Sequence, residues 1–288
     1  MKTFQSIDLH MHTTVSDGTD TPLEILRKVK EAGINLFSVT DHESMRGCDE
    51  IETHLRAGDP AFLRGAEFNC EDEEGKYHVL GYGYDPTSPA ILEVVKESRT
   101  RRLGRLQGRL DFLKREFGFE LTEEDREKLF SLEHPGKPHI ACYMEQYGFA
   151  PTKEDAFRLY IDKYPAVGIH VRPEDAIAAI TSAGGIPILA HPSYGSGKER
   201  IVGADMEKRL LKMMRYGVRG LEAYYSAFSA ETRGELLALA EKYDLYVTAG
   251  SDYHGTNKTV RLGDTHLDEV YPAGLTAFIR DAKVFEKE

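Results

Sequence analysis

The sequence is poor in three features that mark large classes of proteins: cysteine, long apolar runs and excess positive charge. Its three cysteines, Cys48, Cys70 and Cys142, are too few for a disulfide framework and show no CxxC spacing, which indicates a reducing cytoplasm. No stretch approaches the ~18 consecutive apolar residues of a membrane span. The first residues, MKTFQSIDLHMH, lack an apolar core and a cleavage site, so we expect neither a signal peptide nor a membrane-bound protein.

Basic residues are outnumbered by acidic ones. The chain has 37 Lys and Arg against 48 Asp and Glu, which gives a formal charge of −11. This balance argues against a broad basic face that grips a long nucleic acid, although a small positive pocket remains compatible with it.

The remaining composition predicts an α/β fold. With 288 residues, 41% hydrophobic and 30% charged, the chain suits one β/α barrel or two ordinary domains. Predicted strands and helices of about 10–15 residues alternate, which favours parallel β/α units. The middle of the chain is mostly charged and helical in period, so we divide the sequence into a first barrel part (1–90), a mainly helical insertion or cap (91–172) and a second barrel part (173–288).

The first helix has clear start and stop signals. Thr21 can cap its N-terminus, Pro22 suits its first turn, Glu24 completes a capping box, and Gly33 is suited to ending it. Apolar residues spaced three apart predict its buried face: Leu23, Leu26 and Val29.

Imidazole and carboxylate side chains follow or lie within the predicted strands. They are His10, His12, Asp17, His42, Glu67, His78, His191, Asp252 and His254. In a parallel barrel the carboxyl ends of the strands open at one mouth, so residues far apart in sequence would converge there. A single histidine after a strand is more often a capped or solvated residue than a ligand. Histidines or acidic residues at the ends of five separate predicted strands, however, favour a metal site.

Six imidazoles and three carboxylates suit Zn²⁺, Mn²⁺ or Fe²⁺. One metal ion needs three or four protein ligands, so nine donors predict two or three ions with a bridging group. In the extended segment His10-Met11-His12, both rings face the same side while Met11 points to the packing side. By contrast, His54 lies among charged residues of a predicted helix and is expected at the surface.

Five motifs carry a family resemblance. DLHMHTTVSDG, SVTDHESMRG, GAEFN, ILAHPS and AGSDYHG resemble, in order and spacing, the motifs of the PHP (polymerase and histidinol phosphatase) family of the amidohydrolase superfamily. The resemblance implies a distorted seven-stranded, TIM-like β/α barrel with a helical insertion and a trinuclear centre. All nine residues fall on the family's metal ligands. The resemblance also makes Glu67 a carboxylate shared between two ions and assigns Asp17 and His42 to the third.

The function implied by this resemblance is metal-dependent hydrolysis of a phosphate ester of a small nucleotide or sugar phosphate. The substrate would be a 3′,5′-bisphosphate monoester or a small cyclic phosphodiester, and a hydroxide bridging two of the Mn, Zn or Fe ions would attack phosphorus. Asp252 would accept a proton from the nucleophile, and His191 or His254 would protonate the leaving group. Two alternatives stay open: an amide or lactone hydrolase, and a non-catalytic phosphate- or metal-sensing module.

Two departures from the family pattern bear on the substrate. Relatives specific for nucleoside bisphosphates often read R-P-H-x-A-R in the insertion, whereas this chain reads Lys-Pro-His-Ile-Ala-Cys at 137–142, and its AHP motif continues with Ser-Tyr instead of Gly-Arg. Both changes remove guanidinium groups that could clamp a phosphate. The remaining candidates for binding substrate are Lys137 and His139 and, with weaker support, Arg172 and Lys198.

Overall fold

The computed structural model describes residues 4–165, 168, 170–195 and 200–287, so the predicted substrate residue Lys198 lies outside the described residues. The chain forms two compact units. Unit 1 comprises Met1–Val95 and Val171–Glu288, and unit 2 comprises Lys96–His170. No helix in the described part of the chain combines the length and apolar character needed to cross a membrane.

The strands of the described residues form two sheets. They are β1 (Ile7–Asp8), β2 (Leu36–Phe37), β3 (Ala61–Phe62), β4 (Gly65–Asp72), β5 (Gly75–Tyr82), β6 (Ile186–Leu189), β7 (Gly220–Tyr225) and β8 (Tyr246–Gly250). The first sheet has the order β1-β2-β3 and is parallel throughout. The second has the order β4-β5-β6-β7-β8.

The helices of the described residues alternate in sequence with these strands and with one another. They are α1 (Pro22–Glu31), α2 (Arg46–His54), α3 (Pro89–Phe117), α4 (Glu123–Ser131), α5 (Lys137–Gln146), α6 (Lys153–Leu159), α7 (Pro173–Ser182), α8 (Gly203–Tyr216), α9 (Ala230–Lys242) and α10 (Ala273–Asp281), with two short 3₁₀ turns at Ile161–Lys163 and Gly255–Asn257.

Helix α1 begins and ends as predicted, but its buried face differs by one residue. Thr21 is the N-cap and forms both bonds of the capping box with Glu24, and Gly33 follows the end of the helix with a φ of 68°. The buried residues are Pro22, Ile25, Leu26 and Val29. Leu23 is 38% exposed. That part of the prediction was wrong because the buried stripe follows the i, i+3, i+4, i+7 pattern from Pro22.

The sheet is not the all-parallel arrangement that the alternation of elements predicted. Strands β4 and β5 form an antiparallel hairpin in which Asp72 pairs with Gly75 across a two-residue turn. A parallel pair would need a crossover of a dozen or more residues, and Glu73 and Glu74 are far too short for one. Strand β5 also pairs antiparallel with β6, whereas β6, β7 and β8 are parallel. The eight strands in two sheets therefore differ from a closed seven-stranded barrel.

Hydrogen bonds beyond the ladders connect the two sheets. The amide of Leu9, just after β1, donates to the carbonyl of Ala249 in β8 at 2.9 Å, and the amide of Glu43 donates to the carbonyl of Glu67 in β4 at 3.0 Å. Isolated parallel bridges join Met11 to Tyr253 and His42 to Glu67. The segments that follow β1, β2 and β8 thus lie beside one another and beside β4, although these elements are far apart in sequence.

Unit 2 is helical and has its own apolar core. The 29-residue helix α3 continues from unit 1 into it and is followed by α4, α5 and α6. Each of these helices contributes buried side chains, among them Leu106, Leu110, Leu113, Leu129, Ile140, Met144 and Ala156. Phe119 and Ile161, outside these helices, belong to the same core. A charged surface over this core explains the high charge content of the region.

Candidate metal centre

The structure brings the nine predicted metal ligands together in unit 1. Within the described residues they form four overlapping groups whose donor atoms all lie within 4.8 Å of one another: His12, Asp17, His42 and His254; His10, His12 and Glu67; His10, His191 and Asp252; Glu67, His78 and His191. Met11 is buried in the apolar core and the rings of His10 and His12 are 5.3 Å apart. The predicted alternation of this segment is confirmed.

Glu67 lies between two sets of histidines. Its Oε2 is 3.3 Å from His10 Nε2 and 3.1 Å from His12 Nε2. Its Oε1 is 2.9 Å from His78 Nδ1 and 3.1 Å from His191 Nε2. Each oxygen of this buried carboxylate therefore faces a different group of nitrogens, as a carboxylate shared by two ions would.

A further group is centred on Asp17. Its Oδ1 is 3.3 Å from His254 Nε2 and 3.5 Å from His12 Nδ1, and its Oδ2 is 3.7 Å from His42 Nε2. The Asp17 side chain is 43% exposed, whereas the histidines around it are buried. Of the nine donors, Asp17 is the one most open to solvent, so this group lies nearest to water.

The two carboxylate oxygens of Asp252 have different neighbours. Oδ1 lies 3.5 Å from Nε2 of both His10 and His12. Oδ2 accepts hydrogen bonds from the Tyr225 hydroxyl at 2.8 Å and from Lys258 Nζ at 2.5 Å. One oxygen is left for the cluster while the other is held by two donors.

The backbone is strained at two of the proposed ligands. Asp252 has a φ of 58° and His191 a φ of 25°. Non-glycine residues rarely adopt such angles, and they persist where the surrounding structure imposes them, often at functional sites. Both residues follow the ends of strands, β8 and β6, where the turn redirects their side chains.

Glu222, in the middle of β7, supports two of the histidines and was not identified from the sequence. It is fully buried. Its Oε1 is 3.0 Å from His10 Nδ1, and its Oε2 accepts a hydrogen bond from the backbone amide of His191 at 2.9 Å. Because an ionised carboxylate can only accept, Nδ1 of His10 carries a proton, so the neutral form of His10 presents its Nε2 lone pair to the cluster. An acid inside an apolar strand was the available signal.

His254 is oriented in the same way as His10, but its Nδ1 faces a backbone carbonyl instead of a carboxylate. Its Nδ1 lies 2.9 Å from the backbone carbonyl oxygen of Asp252. A carbonyl also only accepts, so Nδ1 carries a proton, and the neutral form of His254 directs its Nε2 lone pair toward Asp17. Two of the six histidines are thus fixed in the tautomer that metal binding requires.

Asp41 organises the loop that carries Asp17. It is buried and accepts hydrogen bonds from the amide and hydroxyl of Thr13, both at 2.8 Å, and from the hydroxyl of Ser16 at 2.7 Å. Burial raises the pKa of this carboxyl, while the bonds from Ser16 and Thr13 act against that rise. The structural role of Asp41 appears only in the folded chain, where it holds Thr13 and Ser16.

Burial and the close approach of imidazoles and carboxylates determine the pKa values in the cluster. Burial lowers the pKa of His10, but Glu222, Glu67 and Asp252 outweigh it and the pKa of His10 is raised. Burial and the neighbouring imidazoles lower the pKa of His12 to about 3. Burial alone would raise the pKa of Glu67, yet the surrounding histidines hold it well below its usual range. The carboxylates are therefore charged, and His12 is a neutral, ligand-competent imidazole.

These donors fit divalent cations. Two ligand atoms about 2.1 Å from one tetrahedral ion lie about 3.4 Å apart. The separations around Glu67 and Asp252 run from 2.9 to 3.5 Å. Nε2 of His10 and Nε2 of His12 approach to 3.2 Å. Two imidazole nitrogens aimed at one point, beside carboxylates, are the arrangement that a shared cation satisfies.

The predicted substrate residues have other partners in the structure. Lys137 Nζ pairs with the carboxylate of Asp162. His139 Nδ1 accepts a hydrogen bond from the Gly136 amide at 3.2 Å, and burial lowers its pKa. The exposed Arg172 is held by two acids, with Nη1 2.8 Å from Glu73 Oε1 and Nε 2.5 Å from Glu174 Oε1. A phosphate would compete with these acids for Lys137 and Arg172.

Relatives of known name cover almost the whole chain. The chain is 27% identical over 273 residues to a 5′-3′ exoribonuclease of Haemophilus influenzae, covering 92% of this chain and 96% of the relative. It is 28% identical over 261 residues to a 3′,5′-nucleoside bisphosphate phosphatase of Chromobacterium violaceum (86% and 87%). It is 29% identical over 262 residues to a phosphoribosyl 1,2-cyclic phosphate 1,2-diphosphodiesterase of Eggerthella lenta (86% and 94%).

Solved structures share the fold. A Bifidobacterium adolescentis protein with the provisional description of a metal-dependent phosphoesterase superposes with a TM-score of 0.77 at 29% identity, covering 96% of both chains. An amidohydrolase from Chromobacterium violaceum gives a TM-score of 0.77 at 24% identity, covering 98% of both chains, and supports the fold alone. The sequence profile of the PHP domain matches residues 8–164. With more than half of its length matched, the chain belongs to the PHP domain family.

Proposed function

We propose that this protein is a metal-dependent phosphoesterase that hydrolyses a phosphate ester of a small nucleotide or sugar phosphate. The observation that carries the proposal is the convergence of nine imidazole and carboxylate side chains around Glu67, whose two oxygens face different histidines. Similar proteins named as a bisphosphate phosphatase, a cyclic phosphodiesterase and an exoribonuclease all act on phosphate esters.

The proposed cofactors are two or three divalent ions, Mn, Zn or Fe, held by the nine residues. Ions held there would supply Lewis acidity, which lowers the pKa of a bound water and neutralises charge on phosphate oxygens. Glu67 is the proposed shared ligand. Glu222 and the carbonyl of Asp252 fix the imidazoles of His10 and His254 in the required tautomer.

Asp252 is the proposed acceptor of the nucleophile's proton. The positive charges of His10 and Lys258 outweigh burial and hold its pKa below the usual range, so the carboxylate is ionised and able to accept. The hydrogen bonds from Tyr225 and Lys258 anchor Oδ2 and leave Oδ1 toward the cluster. His191 and His254, on either side, are the proposed proton donors to the leaving group.

The proposed substrate is small. A formal charge of −11 disfavours an extended interface with a long nucleic acid. Both a 3′,5′-bisphosphate and a small cyclic phosphodiester remain within the proposal. Lys137, His139, Arg172 and Lys198 stay predictions for binding its phosphate.

Two broader features belong to the same proposal. The two sheets would be two segments of a distorted barrel, since hydrogen bonds join Leu9, just after β1, to β8 and the segment after β2 to β4. A reducing cytoplasmic location agrees with three unpaired cysteines, two of them buried.

The test is turnover by purified protein loaded in turn with Mn²⁺, Zn²⁺ or Fe²⁺. The substrate panel contains a nucleoside 3′,5′-bisphosphate, a small cyclic phosphodiester, a short oligonucleotide, a cyclic amide and a lactone. We expect hydrolysis of at least one phosphate ester, lost on chelation. His12→Ala and Asp252→Ala should each lower kcat by about a thousandfold or more, because several kcal/mol of charge stabilisation are lost.

His54→Ala is the matched control, because His54 is exposed at the end of α2. It should retain wild-type turnover. Hydrolysis of the amide or lactone alone would identify an amidohydrolase. Tight metal binding without any turnover would favour a sensing module, and equal activity after complete removal of metal would refute the proposed site.

A further inference from the structure

The Asp17 group, made of His12, Asp17, His42 and His254, depends on two loops of unit 1. Asp17 lies on the loop formed by residues 13–20, and His254 lies on the turn formed by residues 252–257. Both segments lie fully within the described part of the chain, and neither contains a strand or an α-helix. The position of the partly exposed Asp17 carboxylate is therefore set by the contacts that hold these loops.

Hydrogen bonds join the two loops at Asp17 itself and at Thr19. The side-chain amide of Asn257 donates to the backbone carbonyl oxygen of Asp17 at 2.8 Å. The amide of Thr19 donates to the carbonyl of His254 at 3.2 Å, and its hydroxyl oxygen accepts from the amide of Thr256 at 2.9 Å. The residue that carries the carboxylate and the turn that carries His254 are thus directly connected.

A triad of side chains adds a charged link at the end of the 13–20 loop. Oδ2 of Asp20 accepts a hydrogen bond from the Tyr253 hydroxyl at 2.7 Å and lies 2.6 Å from Lys28 Nζ. Lys28 also donates to the Tyr253 hydroxyl at 3.0 Å. The Asp20 side chain is 14% exposed, and bonds to a partly buried carboxylate are stronger and less screened than those at the open surface. The triad and the bond from Asn257 form a latch between the two loops.

The donors around Glu67 are held by other contacts. Glu67 lies within the ladder of β4 and β5. The amide of Asp252 donates to the carbonyl of His10 at 2.8 Å, and the Tyr225 hydroxyl holds its Oδ2. These contacts use neither link of the latch. Loss of the latch should therefore disturb the Asp17 group and spare the donors around Glu67.

We propose that this latch controls how tightly the Asp17 group binds a third divalent ion. The side chains of the latch are positioning residues, because they lie outside the four donor groups that the described residues form and act through the loop that carries Asp17. A carboxylate held in place before the ion arrives reduces the ordering cost of binding. This role rests on the proposed function, because such a latch matters only where the centre binds its ions.

The experiment measures the number and the affinities of Mn²⁺ ions bound by the full chain, by equilibrium dialysis and elemental analysis, without reference to turnover. The wild type should bind three ions. Tyr253→Phe removes one hydroxyl and keeps the ring, which packs against the apolar core of unit 1. It should weaken the binding of one ion by about tenfold or more, as loss of a group that supports a metal ligand does, and leave the other two affinities unchanged.

A second variant tests the other link of the latch, and a third is the matched control. Asn257→Ala changes an exposed side chain and should weaken the same ion, and the double variant with Tyr253→Phe should weaken it further. Tyr243→Phe cuts a triad of the same composition elsewhere in unit 1, since the Tyr243 hydroxyl donates to Glu207, which lies 2.6 Å from Lys242 Nζ. This control should bind three ions as the wild type does.

A rise in free Mn²⁺ distinguishes positioning from damage to the fold. It should restore both the third ion and turnover in Tyr253→Phe, because the donors themselves are intact; turnover that stays low with three ions bound would overturn the proposal. Unchanged affinities in the double variant, equal weakening of all ions, or only two ions in the wild type would overturn it as well, while leaving a metal centre in place. Absence of any bound ion in the wild type would instead contradict the proposed function.

Discussion

Units 1 and 2 both bury basic side chains, but they compensate them differently. In unit 1, Arg64 is 7% exposed and Glu52 faces it with two oxygens, at 3.0 Å from Nε and 2.6 Å from Nη2. Lys212, also 7% exposed, lies 2.8 Å from the buried Asp72. In unit 2, Arg109 is 4% exposed and has no acid within ion-pair distance among the described residues.

The difference separates buried charges that an ion pair compensates from a buried charge that has no ion pair in the described residues. A buried ion pair is complete within the folded chain, and removing one partner strands the other. The metal centre is the complementary case, because its histidines and carboxylates surround a space that suits cations. Arg109 is the reverse: a buried cation that stacks on Tyr164 and has no ion-pair partner among the residues that the structure describes. The comparison therefore predicts opposite effects of neutral substitutions in the two units.

The largest expected effect on stability is that of Lys212→Met. The substitution keeps the length of the side chain but leaves Asp72 buried without its partner, which should lower the free energy of unfolding by about 3 kcal/mol. Chemical denaturation followed by circular dichroism measures it. Lys242→Met is the matched control, since Lys242 is 59% exposed and paired at the surface with Glu207; its effect should be below about 0.5 kcal/mol.

Arg109→Met supplies the opposite sign in the same assay. Lys212→Met should destabilise the protein, whereas Arg109→Met should stabilise it, because the substitution removes a buried charge that has no ion pair in the described residues. If both variants destabilise by similar amounts, the contrast between the two units does not exist.

Glu222→Gln should have the next largest effect. The neutral amide cannot hold His10 as strongly in the Nδ1-protonated form, and loss of such a supporting carboxylate typically costs ten- to a hundredfold in metal affinity or activity. Competition with a metal-binding dye measures the affinity for Mn²⁺ or Zn²⁺. Glu241→Gln, at an exposed position of α9, should bind metal as the wild type does. Equal affinity in both variants would mean that His10 needs no carboxylate behind it.

The sequence predicted the features that local chemistry determines. The gathering of donors was predicted from their repetition after strands and from the convergence of strand ends at a barrel mouth. The capping box of Thr21 and Glu24 and the alternation of His10, Met11 and His12 follow from residue types at short spacings. These signals depend on periods of two and 3.6 residues, which do not require knowledge of the rest of the fold.

Features that depend on pairing between distant segments were missed. The antiparallel partner of β4 was taken for another β/α strand, although the two-residue turn at Glu73 and Glu74 could have shown it. Glu222 stands out as an acid inside an apolar strand, but its partners become evident only when β7 is placed beside His10 and His191. Arg109 is one arginine among many on a charged helix, and only the packing of unit 2 reveals that it is buried.

The smallest expected effects come from adding one methyl group at glycines of the two units. At Gly250, the last residue of β8, a Cβ would lie 2.2 Å from His10 Cβ and 2.5 Å from Glu222 Oε1. Gly250→Ala must displace that pair, so we expect a loss of about 1–3 kcal/mol in stability together with weaker metal binding.

In unit 2, Gly104 of α3 has nothing within 4 Å of a Cβ. Gly104→Ala should instead stabilise by roughly 0.5–1 kcal/mol, because alanine is the better helix former. Thermal unfolding and metal titration of both variants check this, with Gly234→Ala in α9 of unit 1, equally open, as the control that separates a helix effect from an effect of the unit. If Gly250→Ala keeps wild-type metal affinity, the contact between β8 and His10 does not position the metal ligands.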